Sequence, residues 1–248
     1  MCSSDLGRFL DASVAMGRFL TGTMQAGNGA LLPLFNPKTG AAATLNDGKW
    51  SNQAGGFLAK ASLGLIALSE ATGDRSYRDA VVELCDHALT TQDPSGRFIT
   101  DRASGTTHLH PHCYAAEGLL WAGTALDIPR YVDASRRATR WIFSLTAAGQ
   151  INELYSPSTG RFNAVMRSDI LAQALRLGTV FSCDGGLAAL REELGAHQYR
   201  GVETVQRGGF LYTRGGPHVN SWCTIFALQA LALAGEDMAP VGLPTKGG

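Results

Sequence analysis

The chain has 248 residues, with 21 Lys+Arg against 21 Asp+Glu and hence no net charge. It carries no basic cluster or stripe of the kind that phosphate backbones require, which argues against nucleic acid as a partner. No apolar run reaches the ~20 residues needed to span a bilayer, because Arg, Asp, Gln or Glu interrupts each long segment. The cysteines (Cys2, Cys85, Cys113, Cys183 and Cys223) are odd in number and form no CxxC pair, which fits a reducing compartment, the cytoplasm, better than a disulfide framework.

In chain order, residues 1–6, MCSSDL, match no helix or strand pattern. CSSDL is what the end of a common sequencing adapter encodes, so this stretch is expected to be foreign to the domain. Residues 7–236 form the expected single domain, followed by a flexible tail, 237–248. Arg8 to Met24 gives a weak amphipathic pattern. Residues 75–91 give a clear one, with Tyr77, Ala80, Val81, Leu84, Cys85, Ala88 and Leu89 on one stripe. Residues 130–146 repeat it through Tyr131, Ala134, Ala138, Trp141, Ile142 and Leu145. Between these lie segments that are apolar nearly all round, Gly56 to Ala71, Tyr114 to Leu126, Ile170 to Val180 and Ser221 to Ala234. A helix apolar on every side must be covered on every side, so outer and inner helices alternate.

The connections recur too. LFNPKTG at 34–40 and LYSPSTG at 154–160 follow amphipathic segments ending near Gln25 and Gln150, and their Pro-X-Thr-Gly turns predict short β-ribbons. Shorter versions follow Gln92 and Gln206. Together these features predict a helical-hairpin repeat of about 55–65 residues. HPHCYAAEGLLWAG, RSDILAQALRLG and HVNSWCTIFALQALAL mark the starts of three inner helices. In this architecture and these stretches the chain resembles the α/α-toroid superfamily, which includes six-hairpin glycosidases, N-acylglucosamine 2-epimerases, glucuronyl C5-epimerase domains and, more distantly, terpene cyclase and prenyltransferase barrels. The resemblance implies an all-α toroid, here incomplete with about four hairpins, and a cavity mouth where the loops leading into the inner helices meet.

Titratable and aromatic groups gather at those helix starts. His112, Tyr114, Glu117 and His218 are the candidates for acid and base roles, with histidine suited by its ordinary pKa near ~6.5. Glu117 lies on an otherwise apolar helix, so it must either meet a partner such as Arg167 or keep a raised pKa. His110, Arg167, Asp169, Asn220, Trp222, Tyr155 and Trp50 are the candidates for substrate binding, Arg167 because its planar fork suits a carboxylate. Ser168, Asp169, Asn220 and Ser221 also have a plainer reading as helix caps. The expected function is acid–base chemistry on a saccharide, uronic-acid-containing by the Arg167 argument: epimerisation, elimination or hydrolysis, with no metal or cofactor. Two other readings stand beside it. One is a zinc-dependent or terpenoid-type toroid, if His108, His110 and His112 share one face of an extended strand. The other is a non-catalytic helical-repeat module. The expected partner is a small-molecule or polysaccharide substrate, and the sequence leaves the oligomeric state open.

Overall fold

The computed structural model describes residues 3–145, 151–183, 185–202 and 207–235. Eight α-helices are described: α1 (Ser3–Phe19), α2 (Ser62–Thr72), α3 (Ser76–Leu89), α4 (Leu109–Ala125), α5 (Pro129–Leu145), α6 (Ser168–Val180), α7 (Leu187–Ala196) and α8 (Ser221–Gly235). A 3-10 stretch, Gly56–Ala61, runs straight into α2 and completes the first inner helix. The inner helices α2, α4, α6 and α8 touch one another in sequence, while α3 and α5 each pack between two of them. The packing follows from the patterns. Tyr77, Val81, Leu84, Cys85 and Ala88 of α3 are buried, as are Tyr131, Ala134, Ala138, Trp141 and Ile142 of α5, whereas α4 buries residues on every side. The alternation of outer and inner helices read from the sequence is the architecture observed. Helix α1 starts at Ser3, so residues 3–6 are helical despite their lack of a helix pattern. The expected tail, 237–248, and Gln150 and Gln206 lie outside the described residues.

The two ends of the arc differ in their connections. Inner helices pass to outer ones through short turns, such as that between α2 and α3 at Gly73 (φ 73°). Outer helices return to inner ones through long connections that carry the ribbons. The first pairs β1 (Leu34–Asn36) with β2 (Ala41–Ala43). The second is β4 (Leu154–Ser156) against β5 (Arg161–Phe162), joined by a third strand, β3 (Thr107–His108), in the order β3-β4-β5. All pairs are antiparallel. The Pro-X-Thr-Gly turns close on Gly40 (φ 68°) and Gly160 (φ 65°), the left-handed conformation that glycine adopts without a Cβ penalty.

A glutamine clamp recurs where outer helices end. Gln25 Nε2 donates to the Gly29 carbonyl (3.3 Å) and to that of Ala80 in α3 (2.9 Å). Gln92 Nε2 does the same to Gly96 (2.9 Å) and Ala134 in α5 (2.8 Å). Gly96 presses so closely on α5 that a Cβ there would lie 2.6 Å from the Arg137 carbonyl oxygen. Behind α7 a comparable glutamine is Gln198, bonded to Gly208 (3.2 Å) and bridged to Phe210. Among the described residues no helix is long and apolar enough to cross a membrane.

Candidate active site

Helix α4 begins five residues before the apolar run that announces it. Pro111 is accommodated in its first turn, where the backbone N–H groups need no intrahelical acceptor. This removes the extended geometry expected for the histidines. His108 stays in β3, while His110 and His112 occupy the first turn of α4 and point to different surroundings. Among the described residues no three His, Cys, Asp or Glu side chains converge on a metal-sized space.

His112 is wholly buried. Its Nδ1 accepts from the Phe98 N–H (3.1 Å), its Nε2 lies 3.1 Å from the Ala138 carbonyl of α5, and its ring meets Trp141 at 4.9 Å. Burial lowers its pKa to about 4. With both nitrogens at hydrogen-bonding distance from backbone, His112 joins α4 to α5 and presents no free nitrogen for the acid–base role expected of it. Tyr155 belongs to the same region, packed edge-on against Trp141 (5.3 Å) and Phe162 (5.4 Å), not with the residues gathered around His110.

His110 faces the inner ring. Its Nδ1 lies 2.9 Å from Asp169 Oδ2 at the start of α6, and its ring lies 4.4 Å from Tyr114, 6.1 Å from Trp50 and 6.3 Å from Phe226 of α8. Arg167 precedes α6 in an extended conformation (φ −124°, ψ 135°), and its fork holds both Asp169 oxygens, Nε to Oδ1 at 3.1 Å and Nη2 to Oδ2 at 2.7 Å. Its remaining arm bonds Glu153 (2.7 Å) and its plane covers Tyr212 at 4.6 Å. Arg167 therefore positions Asp169, and its fork, expected to receive a substrate carboxylate, is occupied here by Asp169 and Glu153. Burial works to raise the Asp169 pKa, but hydrogen bonding from His110 and Arg167 outweighs it and holds the carboxyl below its ordinary value. Tyr114 is shifted the other way, upward, by burial and by the carboxylates of Glu117 and Asp169.

Glu117, 7% exposed, meets a partner as one of the two expected outcomes requires, but the partners are Lys60 and Arg176 (3.3 Å) rather than Arg167. Gly118 makes the first contact possible, since a Cβ there would lie 2.4 Å from the Ala59 carbonyl carbon; the small residue lets α4 approach the stretch that carries Lys60. Arg176 also donates to Gln229 of α8 (2.9 Å), so Lys60, Glu117, Arg176 and Gln229 form one belt across four inner helices. A shared spacing explains it. His110, Tyr114, Glu117 and Trp121 on α4 step along one face exactly as Asp169, Gln173, Arg176 and Val180 do on α6 and Trp222, Phe226, Gln229 and Leu233 on α8. Lys60, Arg176, Gln173 and Gln229 were not foreseen as site residues, although each interrupts an apolar helix, and that interruption is the signal that could have found them.

At the rim, Trp222 is 52% exposed and packs edge-on against Phe226 (5.2 Å). Trp50 is half-buried, edge-on to Phe57 (5.0 Å). Asn220 caps α8, its Oδ1 accepting from the Cys223 N–H (3.1 Å), as the plainer reading had it. His218 is exposed, and its carbonyl accepts from the Tyr212 N–H (3.4 Å). The ring mouth thus brings together Trp50, His110, Tyr114, Asp169 and Trp222, with Arg167 behind and Glu117 beneath. His112, Tyr155 and His218 lie apart from that group.

No family model and no curated protein matches the chain. Among solved structures it is similar to a UGL complex with dGlcA-Glc-Rha-Glc (14% identity, TM-score 0.63, covering 90% of this chain and 66% of that one). It is also similar to an unsaturated glucuronyl hydrolase from Bacillus sp. GL1, responsible for the degradation of glycosaminoglycan (11%, 0.64, 88% and 66%). A novel alpha-amylase from Clostridium perfringens is a third (11%, 0.57, 89% and 65%). The chain spans about two thirds of the length of each. These likenesses, with the alternating helices and ribbons, establish the fold as an α/α toroid.

Proposed function

We propose that the chain carries the acid–base site of a saccharide-processing enzyme, with His110 as the base. The observation that carries this is the contact between His110 Nδ1 and the Asp169 carboxylate at 2.9 Å, at the ring mouth and beside Tyr114. Asp169, kept ionised 2.9 Å from Nδ1, favours the tautomer that leaves Nε2 to accept a proton. Tyr114, whose pKa is raised, stays protonated and can donate. Trp222 and Trp50 offer faces on which a sugar ring can stack. Structural neighbours named for glucuronyl and amylase activities support the saccharide class.

The charge distribution favours proton transfer at a sugar carbon, as in epimerisation or elimination, over hydrolysis by two carboxyl groups. Such hydrolysis needs one carboxyl to arrive protonated. Here Asp169 is held ionised by Arg167 and His110 and cannot supply that proton. The test is deuterium wash-in, read by NMR, on a panel of free uronic acids, N-acetylhexosamines and dGlcA-Glc-Rha-Glc. The expected result is exchange or turnover of at least one sugar that falls roughly 10²–10⁴-fold in His110→Asn. A panel untouched by the parent protein, or a variant as active as the parent, would overturn the assignment.

A further inference from the structure

Gln173 stands apart among the polar side chains of the inner ring. It is wholly buried, and neither its Nε2 nor its Oε1 meets a hydrogen-bond partner among the described residues. A glutamine amide offers two donors and an acceptor, and leaving them all unused in the interior destabilises the fold unless something else is gained. Its direction is fixed by its helix. Asp169, one turn before it, faces His110, and Arg176, one turn after it, faces Glu117. Gln173 lies on that same face, at the level of Tyr114 on α4 and Phe226 on α8, whose ring centroids are 6.3 Å apart. The unpartnered amide is therefore aimed into the layer directly beneath the His110–Asp169 pair, about 6 Å deeper along the helix axis.

We propose that Gln173 is a specificity-determining residue, which reads a hydroxyl of the sugar whose reacting carbon lies at His110. This rests on the saccharide reading above. A sugar hydroxyl both donates and accepts, as a primary amide does, so one hydroxyl satisfies both halves of Gln173. The half-buried Tyr114 and the buried Phe226 lie at the same level of the layer. A site built to bond a hydroxyl rejects analogues without it far more strongly than an apolar wall does, because the amide is then left unpaired against the ligand.

The experiment compares the parent with Gln173→Met, which keeps the volume and removes both polar ends. Gln173→Asn, which withdraws the amide by one methylene, replaces it should the first variant not fold. Binding is measured by calorimetry with the sugar on which the parent is most active in the panel and with its singly deoxygenated analogues. The expected result is that Gln173→Met melts at or above the parent temperature and binds the full sugar roughly 10-fold or more weakly. One deoxy analogue should bind both proteins alike. Equal affinity of parent and variant for the full sugar overturns the proposal while leaving the His110 assignment intact. So does a loss spread evenly over every deoxy analogue, which would mark Gln173 as structural. A parent that binds no sugar overturns both readings.

Discussion

His112 shows how burial alone can give a histidine a measurable effect. Its ring is sealed between Phe98 and Trp141, and burial lowers its pKa from 6.5 to about 4. In the unfolded chain the imidazole takes up a proton below about pH 6.5, whereas in the folded chain it stays neutral. Between those limits the unfolded state binds more protons, so stability is full above pH 6.5 and is lost as pH falls toward 4, by on the order of 3 kcal/mol. Melting temperatures measured from pH 7 to 4.5 should fall more steeply for the parent than for His112→Gln. Parallel slopes for the two proteins would remove His112 as the cause. His110 forms the contrast: it sits two residues away on the same helix turn, yet its partner is a carboxylate and not the backbone.

At the level of single helices, α3 tests the assigned stripe. Leu84 is 1% exposed in a small cluster with Met24 and Leu31, while its neighbour Glu83 is exposed. Leu84→Ala should cost about 2–5 kcal/mol, from lost burial and the cavity left behind. Glu83→Ala should change stability by no more than roughly 0.5 kcal/mol. Equal shifts in denaturant midpoint would mean the wrong face was assigned. Patterns of this kind were legible because each helix buries its own stripe whatever its neighbours are. The helices and ribbons could therefore be placed from spacing and turn residues. Partners across helices could not. Glu117 was expected to need a cation, but which cation depends on how α4 is set against α6 along their axes, and that placed Arg176 opposite it and left Arg167 to Asp169. The three histidines part for a local reason: α4 begins at Leu109 and accepts Pro111 in its first turn, so the extended strand on which they would share a face ends at His108.

For the ring as a whole, the belt of Lys60, Glu117, Arg176 and Gln229 ties four hairpins at one level. Glu117 is its centre and the anion between its two cations. Glu117→Gln should destabilise by about 1–3 kcal/mol, less than the ~3–5 of a fully buried pair, because Lys60 and Arg176 keep 28% and 26% of their side chains exposed. Denaturant unfolding measures this directly, and a variant as stable as the parent would show that the belt contributes no net stability. At the two ends of the arc the pattern changes. Helix α1 exposes Leu6, Phe9 and Met16, and α8 exposes Trp222, Ile225 and Leu228, so the apolar faces that neighbouring hairpins cover elsewhere in the arc stay open there.

The separation of short turns from long connections has an evolutionary corollary. The turns at one end fix the spacing of the helices and leave little room for change in length, whereas the ribbon-bearing connections lie where the proposed chemistry is. Closing a loop costs only about 0.6 kcal/mol more for each doubling of its length. Insertions behind the glutamine clamps can therefore remodel what the mouth admits while the helices beneath keep their packing. Selection can diversify the substrate range of such a ring at one rim without renegotiating its foundation.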